Sequence, residues 1–210
     1  MLFRSDNSTY TIPVFSCQLA HDGANHESKV TGEKLIEVKL DGVRVITVVY
    51  PNGQVDQYSR NGKELVNFEH IKKQIAKHAI FFSEPIVLDG EVMSASFQDL
   101  MKQVHRKSDV QSNDAVLNLF DALPLREFKK VIGTRRQIDR SVWLREWFEP
   151  LVEHVPNITI VGQELVNLDS AGGQERFAEI NKQAVDGGYE GIMIKDPEAV
   201  YETKRTRSEE

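Results

Sequence analysis

Leu35-Ile36-Glu37-Val38-Lys39-Leu40-Asp41-Gly42-Val43-Arg44 is the stretch on which the reading of this chain turns. Side chains along a strand alternate between two faces, so Leu35, Glu37 and Lys39 share one side while Ile36, Val38 and Leu40 share the other. Two opposite charges on one side of an otherwise apolar strand line either a concavity or a solvated surface. Gly42 beside Asp41 permits a sharp turn, after which Arg44 comes back on the neighbouring strand. A lysine amine, a carboxylate and a guanidinium then converge, which places a nucleophile beside a phosphate-binding cation. Taken alone, these residues equally fit a surface hairpin with solvated charges, because short motifs recur by chance.

The surrounding chain predicts the scaffold. Residues 43–50 and the return through Tyr58, joined by Pro51-Asn52-Gly53, continue the first strand into an antiparallel meander. Leu65, Phe68, Ile71, Ile75 and Ala79 recur at helical spacing and predict an amphipathic helix packed on the sheet. A buried strand is expected over 86–93, a short helix over 97–106 and a strand over 116–122. Thr134 is an N-cap candidate for a helix reaching Glu153, with Ile138, Val142, Trp147 and Leu151 on one side. A strand over 158–166, a helix over 174–185 ended by Gly187-Gly188, and a strand over 191–194 complete the pass. Strands and helices intermingle without regular alternation, which favours an α+β fold over a doubly wound parallel sheet.

Composition narrows the classes. The chain has 210 residues, 40% of them hydrophobic, enough for one large domain. No apolar run approaches the roughly 20 residues of a membrane-spanning helix, and no signal peptide opens the chain, so a cytoplasmic protein without membrane association is expected. The single cysteine, Cys17, fits a reducing compartment. A net charge of −6 argues mildly against nucleic-acid binding, since DNA affinity comes largely from Lys and Arg. Basic clusters nevertheless occur at Lys72-Lys73-Lys77, at Lys102 to Lys107 and at Arg135-Arg136-Arg140. Each reads as a solvated helix face or a DNA contact. The six histidines show no metal-ligand spacing, and a Gly-rich loop of the P-loop type is absent.

Downstream of Lys39 come Tyr58-Ser59-Arg60-Asn61-Gly62, Leu88-Asp89-Gly90-Glu91, Leu119-Phe120-Asp121 and Glu190-Gly191-Ile192-Met193-Ile194-Lys195. In this order the five segments resemble the covalent nucleotidyltransferases, most closely the ATP-dependent DNA ligases of bacteriophages, over about Gln18 to Arg205. The resemblance implies an ATP-grasp-like nucleotidyltransferase domain of antiparallel sheets flanked by helices. It implies ATP as AMP donor, Mg²⁺ as cofactor, nicked double-stranded DNA as partner, and a monomer acting in DNA repair, replication and recombination, in the host cytoplasm if phage-encoded.

Residue roles implied by the resemblance follow position by position. Lys39 would carry the AMP, Glu37 would read the adenine amino group, and Arg44 and Arg60 would hold ribose and phosphates, including the 5′-phosphate of the nick. Glu91 would contact ribose and assist the metal, Phe120 would stack on adenine, Glu190 would bind metal and Lys195 would contact phosphate. Lys204 and Arg205 would touch DNA or phosphate. Phe120 also reads as plain core, and Asp89-Gly90-Glu91 as a simple turn. Attack by a lysine, whose reference pKa is roughly 10.4, requires its neutral form, and Arg44, Arg60, Lys195 and a metal are expected to crowd Lys39 for that purpose. RNA ligases and mRNA-capping guanylyltransferases use the same lysine chemistry, and a catalytically silent nucleotide- or nick-binding domain is a further alternative.

Leu2-Phe3-Arg4-Ser5 and Arg207-Ser208-Glu209-Glu210 read as a sequencing adapter and its reverse complement translated in frame. The expected native domain is therefore residues 6–206, with 1–5 and 207–210 artificial. The oligonucleotide-binding barrel and last lysine motif of such ligases would be missing, leaving the chain unable to seal nicks by itself.

Overall fold

In the computed structural model, which describes residues 30–96, 109–128 and 132–203, the strands β1 (Glu33–Lys39) and β2 (Val43–Val49) belong to different sheets. The hairpin expected between them does not form. β2 pairs instead with β3 (Val55–Ser59), through the turn at Pro51-Asn52-Gly53, and with β4 (Ile86–Met93). The meander thus holds only from β2 onward. β2 sends Val45 and Val49 to one core and Ile46 and Val48 to another, so it needs cover on both faces and takes an interior place in the sheet. β1 is apolar on one face only. Its Ile36 packs with Val166, Phe177 and Ile180, while Glu37 and Lys39 lie on the opposite side.

The chain continues through α1 (Glu69–Ala76), β5 (Val116–Pro124), the short α2 (Leu125–Phe128), β6 (Ile132–Arg136) and α3 (Gln137–Phe148). It then forms β7 (Ile158–Ile160), β8 (Gln163–Asn167), α4 (Ala171–Asp186), β9 (Gly191–Lys195) and β10 (Val200–Glu202). Among the described residues these strands form three sheets, ordered β3-β2-β4-β5-β7, β8-β1-β9 and β10-β6. Leu65, Phe68, Ile71, Ile75 and Ala79 are all buried in the main core, as their spacing predicts. Ser170 caps α4 by accepting from the Gly173 amide, and Gly188, at φ 83°, stands just past its end. The α+β class holds, with one parallel pair, β5 to β7, among the otherwise antiparallel ladders of the described residues.

Two expectations fail for visible reasons. Thr134 does not cap a helix: residues 132–136 pair with β10, and α3 begins only at Gln137. The buried side of α3 is Gln137, Arg140, Ser141, Leu144 and Phe148, while Val142 is exposed. Its inner face is half polar because Arg140 pairs with a buried aspartate, which defeats a reading based on apolar spacing. The strand expected over 158–166 is two strands in two sheets. Val161 donates a last hydrogen bond to the Leu119 carbonyl, and the chain then crosses at Gly162 to pair with β1. The helix expected over 97–106 lies outside the described residues.

The junction of β4 and β5 carries a β-bulge. Asp89 faces Asp121, yet the next residue, Gly90, faces Leu119, so Phe120 is the extra residue on β5. Leu119 and Ala122 enter the main core on either side of it. Gly90 has no room for a side chain, since a Cβ would overlap the Asn118 carbonyl oxygen. Gly90→Ala is expected to lose about 1–3 kcal/mol of folding stability by such overpacking, measured as a lowered urea midpoint with unchanged slope.

Candidate active site

The polar face of the sheet β8-β1-β9 forms one wall. Residues directly opposite on paired strands share a face, and Glu37 lies opposite both Gln163 and Met193, Lys39 opposite Gly191 and Leu35 opposite Lys195. This register brings together side chains far apart in sequence. Lys195 Nζ lies 2.7 Å from Glu37 Oε1, and Gln163 Nε2 donates to Glu37 Oε2 at 2.6 Å. Glu37 is only 4% exposed, so these two donors supply what burial takes from its carboxylate. Lys39 Nζ, more open to solvent, pairs with Glu190 Oε1 at 3.0 Å.

The opposing wall comes from β2, β4 and β5. Arg44 grips Asp89 with both arms, Nε to Oδ1 at 2.5 Å and Nη2 to Oδ2 at 2.6 Å. Tyr201 on β10 donates its hydroxyl to the same Oδ2 at 2.6 Å. Burial, then the Asp89 charge, push that phenol well above its ordinary range. Beneath them Arg140, fully buried, holds Asp121 with Nε at 2.8 Å and lies 5.5 Å from the Tyr201 ring centre. The bulge turns Phe120 toward the first wall, where Lys195 Nζ lies 4.5 Å and Arg44 Cζ 4.9 Å from its ring centre.

Between the walls runs Leu40-Asp41-Gly42. The Gly42 amide donates to Glu91 Oε2 at 2.9 Å, and a Cβ at Gly42 would stand 2.5 Å from the Val92 carbonyl oxygen. Gly42 is required by this close approach; a left-handed turn, for which a glycine beside Asp41 is suited, is not used. Desolvation raises the Glu91 carboxyl above its ordinary value of 4.5, opposed by the Gly42 amide and Arg44.

Glu37, Lys39, Arg44, Glu91, Phe120, Glu190 and Lys195 thus meet around one cleft, although their contacts differ from expectation. The partner of Lys39 is an anion, because its register opposite Gly191 brings the adjacent Glu190 alongside. Of the cations expected around Lys39, Arg44 is held by Asp89 and Lys195 by Glu37. Arg60 is exposed just beyond β3, whose Ser59 lies opposite Val45. Phe120 is half-buried and absent from the main core, so it is not plain core. Lys204 and Arg205 lie outside the described residues. Arg135, Arg136 and Arg140 pair with Glu127, with Asp139 and Glu198, and with Asp121, so this basic cluster is tied into the protein's own carboxylates. Asp89, Gln163, Tyr201 and Arg140 carry parts that sequence reading missed. Sheet pairing sets Gln163 opposite Glu37, Arg140 reaches Asp121 from α3, and the one local signal was a carboxylate, Asp89, inside an apolar strand.

Two outcomes follow. Asp89→Asn strips the counter-charge from Arg44 and is expected to lose about 3–5 kcal/mol, checked by urea unfolding. Because the folded Glu91 pKa is raised, the native state binds more protons than the unfolded state in the window just above pH 4.5. Stability contributed there is present below that window and falls as pH rises through it. Glu91→Gln is expected to flatten this part of the stability-pH profile.

Residues 17–210 match the family description of the ATP dependent DNA ligase domain. DNA ligase 2 of Methanosarcina acetivorans is 29% identical over 177 residues, covering 79% of this chain and 30% of the archaeal protein. The DNA ligase of African swine fever virus is 23% identical over 172 residues, covering 81% of this chain and 38% of the viral one. The chain thus spans about a third of the length of these curated relatives. Among solved structures, Pmar-Lig_PreS3 superposes with a TM-score of 0.84 at 51% identity, over 96% of this chain and 47% of that one. The ATP-dependent DNA ligase from bacteriophage T7 in complex with ATP gives 0.66 at 20% identity, over 93% and 67%, a likeness of fold. A match extending over nearly the whole length, carried on a cleft that gathers the lysine, arginine and glutamates singled out in the sequence, shows that this chain belongs to the ATP-dependent DNA ligase domain family.

Proposed function

We propose that the cleft performs the adenylyl-transfer step of an ATP-dependent DNA ligase, with Lys39 as nucleophile. The observation that carries this reading is the convergence of Lys39, Glu37 and Lys195 on one wall with Arg44 and Phe120 on the facing one. Lys39 Nζ loses a proton to solvent and attacks the α-phosphorus of ATP. The bond from that phosphorus to the bridging oxygen breaks, and its electron pair leaves with pyrophosphate. A lysine-AMP phosphoamide remains. Phe120 provides a face for the adenine, Glu37 an acceptor for its amino group, and Lys195, Arg44 and Arg60 positive charge for ribose and phosphates.

The described residues contain no group of three or more His, Cys, Asp or Glu able to hold a metal. Magnesium, however, commonly rests on one or two carboxylates and takes its remaining ligands from substrate phosphates and water. Glu91 and Glu190 fit that donor set. When bound, Mg²⁺ would neutralise charge building on the leaving pyrophosphate.

In the longer protein the AMP would pass to the 5′-phosphate of nicked double-stranded DNA, and the neighbouring 3′-hydroxyl would displace it to close the strand. Lys204 and Arg205 would then contact DNA or phosphate. The chain would act as a monomer, in the cytoplasm where ATP and DNA are available. No helix among the described residues is long and apolar enough to cross a membrane.

Incubation with α-labelled ATP and Mg²⁺ is expected to leave acid-labile label on Lys39, and Lys39→Ala to lose it entirely. Retention of label in that variant overturns the assignment. Parallel reactions with GTP and NAD separate the nucleotide choices, and nicked DNA against nicked RNA, given to the full-length protein, separates the substrates.

A further inference from the structure

Gln163 opens β8 directly opposite Glu37 and joins the two walls. Its Nε2 lies 2.6 Å from Glu37 Oε2 and 3.4 Å from the carbonyl oxygen of Phe120. Both neighbours are acceptors, so the amide nitrogen must face them, which fixes the orientation of the carboxamide. The same side chain therefore grips the buried carboxylate on one sheet and the backbone of the bulged aromatic on the other. Lys195 repeats this bridge from the other side, bonding Glu37 Oε1 and lying over the Phe120 ring.

We propose that Gln163 is a specificity-determining positioning residue: by bracing Glu37 against Phe120 it holds an acceptor edge at a set distance from a stacking ring, and so selects a purine with a 6-amino group over one with a 6-oxo group. This rests on the reading that the cleft takes ATP. A carboxylate beside the six-position accepts from an amine, whereas a 6-oxo group presents a second acceptor and leaves two oxygens facing each other without a proton. Discrimination depends on the carboxylate being unable to swing away from the unwanted base. Glu37 is buried, and each of its oxygens is bonded to a cleft residue. Lys195 alone would leave one oxygen unrestrained, and the charge contact would allow the carboxylate to rotate about it.

The test compares ATP with inosine triphosphate, which differs in carrying the 6-oxo group and its accompanying ring proton. Equilibrium dissociation constants and the yield of labelled Lys39 are measured for the wild-type chain, Gln163→Leu and Gln163→Asn. Leucine removes both hydrogen bonds at similar volume, and asparagine retains the amide on a stem too short to reach both partners. The wild type is expected to prefer ATP, and both variants are expected to reduce the ATP-to-inosine preference about 10-fold or more, a part of the discrimination of up to about 10⁴-fold that a hydrogen-bonding site can exert. A merely structural loss would weaken both nucleotides in proportion and leave the ratio unchanged, so an unchanged ratio in the folded variants overturns the proposal. Gln163→Asn provides the reading if the leucine variant fails to fold. A wild type that binds neither nucleotide overturns the ATP reading and this inference together. A wild type that binds ATP, with variants that keep its preference, overturns this inference alone.

Discussion

Asp89 is the anchor of this domain. It sits at 0% exposure in the middle of the five-stranded sheet, where an ionised carboxylate survives only if it is paired and hydrogen-bonded. Arg44 supplies the charge and Tyr201 the hydroxyl. Those two partners come from opposite ends of the described chain, so one buried carboxylate ties β2, which follows Lys39, to β10, which follows Lys195. Arg140 and Asp121 form a second ion pair just below, sharing the Tyr201 ring. A buried pair of this kind adds little net stability over apolar packing of the same shape. Its value here is directional: it aims Arg44 along the cleft and across the Phe120 ring.

The two walls are built on different principles. The five-stranded sheet is buried on both faces, and Arg44 and Asp89 share the face of Ile46, Val48, Val87 and Leu123. The three-stranded sheet is lighter. α4 covers one of its faces and the other is left for charged groups. Lys39 belongs to the lighter sheet and Arg44 to the heavier one, with Asp41-Gly42 as the crossing. The short segment linking the first two strands is thus the seam of the cleft, and the tight fit of Gly42 against Val92 and Glu91 holds the seam closed.

Much of the scaffold was legible because alternation and helical spacing report burial. β4, α1 and α4 stand close to where their patterns place them, and Glu37 and Lys39 do share a face. The candidate site residues were legible as residues, through their order along the chain, while their contacts were not. Lys39 meets Glu190 because of a pairing register between strands 151 residues apart, which no local pattern encodes. The inner face of α3 was misread because Arg140, a charged residue, occupies it and reads as surface until Asp121 is known to await it. Similarly, the break between β7 and β8 is dictated by competition between two sheets for one apolar run.

The extra residue at Phe120 sets the parity of everything after it on β5. Ahead of it, odd positions such as Leu117 and Leu119 point to the main core; behind it, the even position Ala122 does, and Asp121 and Leu123 go to the other side. A chain lacking the extra residue would regain unbroken alternation, with Leu117, Leu119 and Ala122 still on the core side and Asp121 and Leu123 on the other. The core would lose nothing by that change, and the cleft would lose the ring that Arg44 and Lys195 lie against. The extra residue is therefore superfluous to the sheet and belongs to the cleft: one added position gives the strand a side chain that its own alternation could not supply.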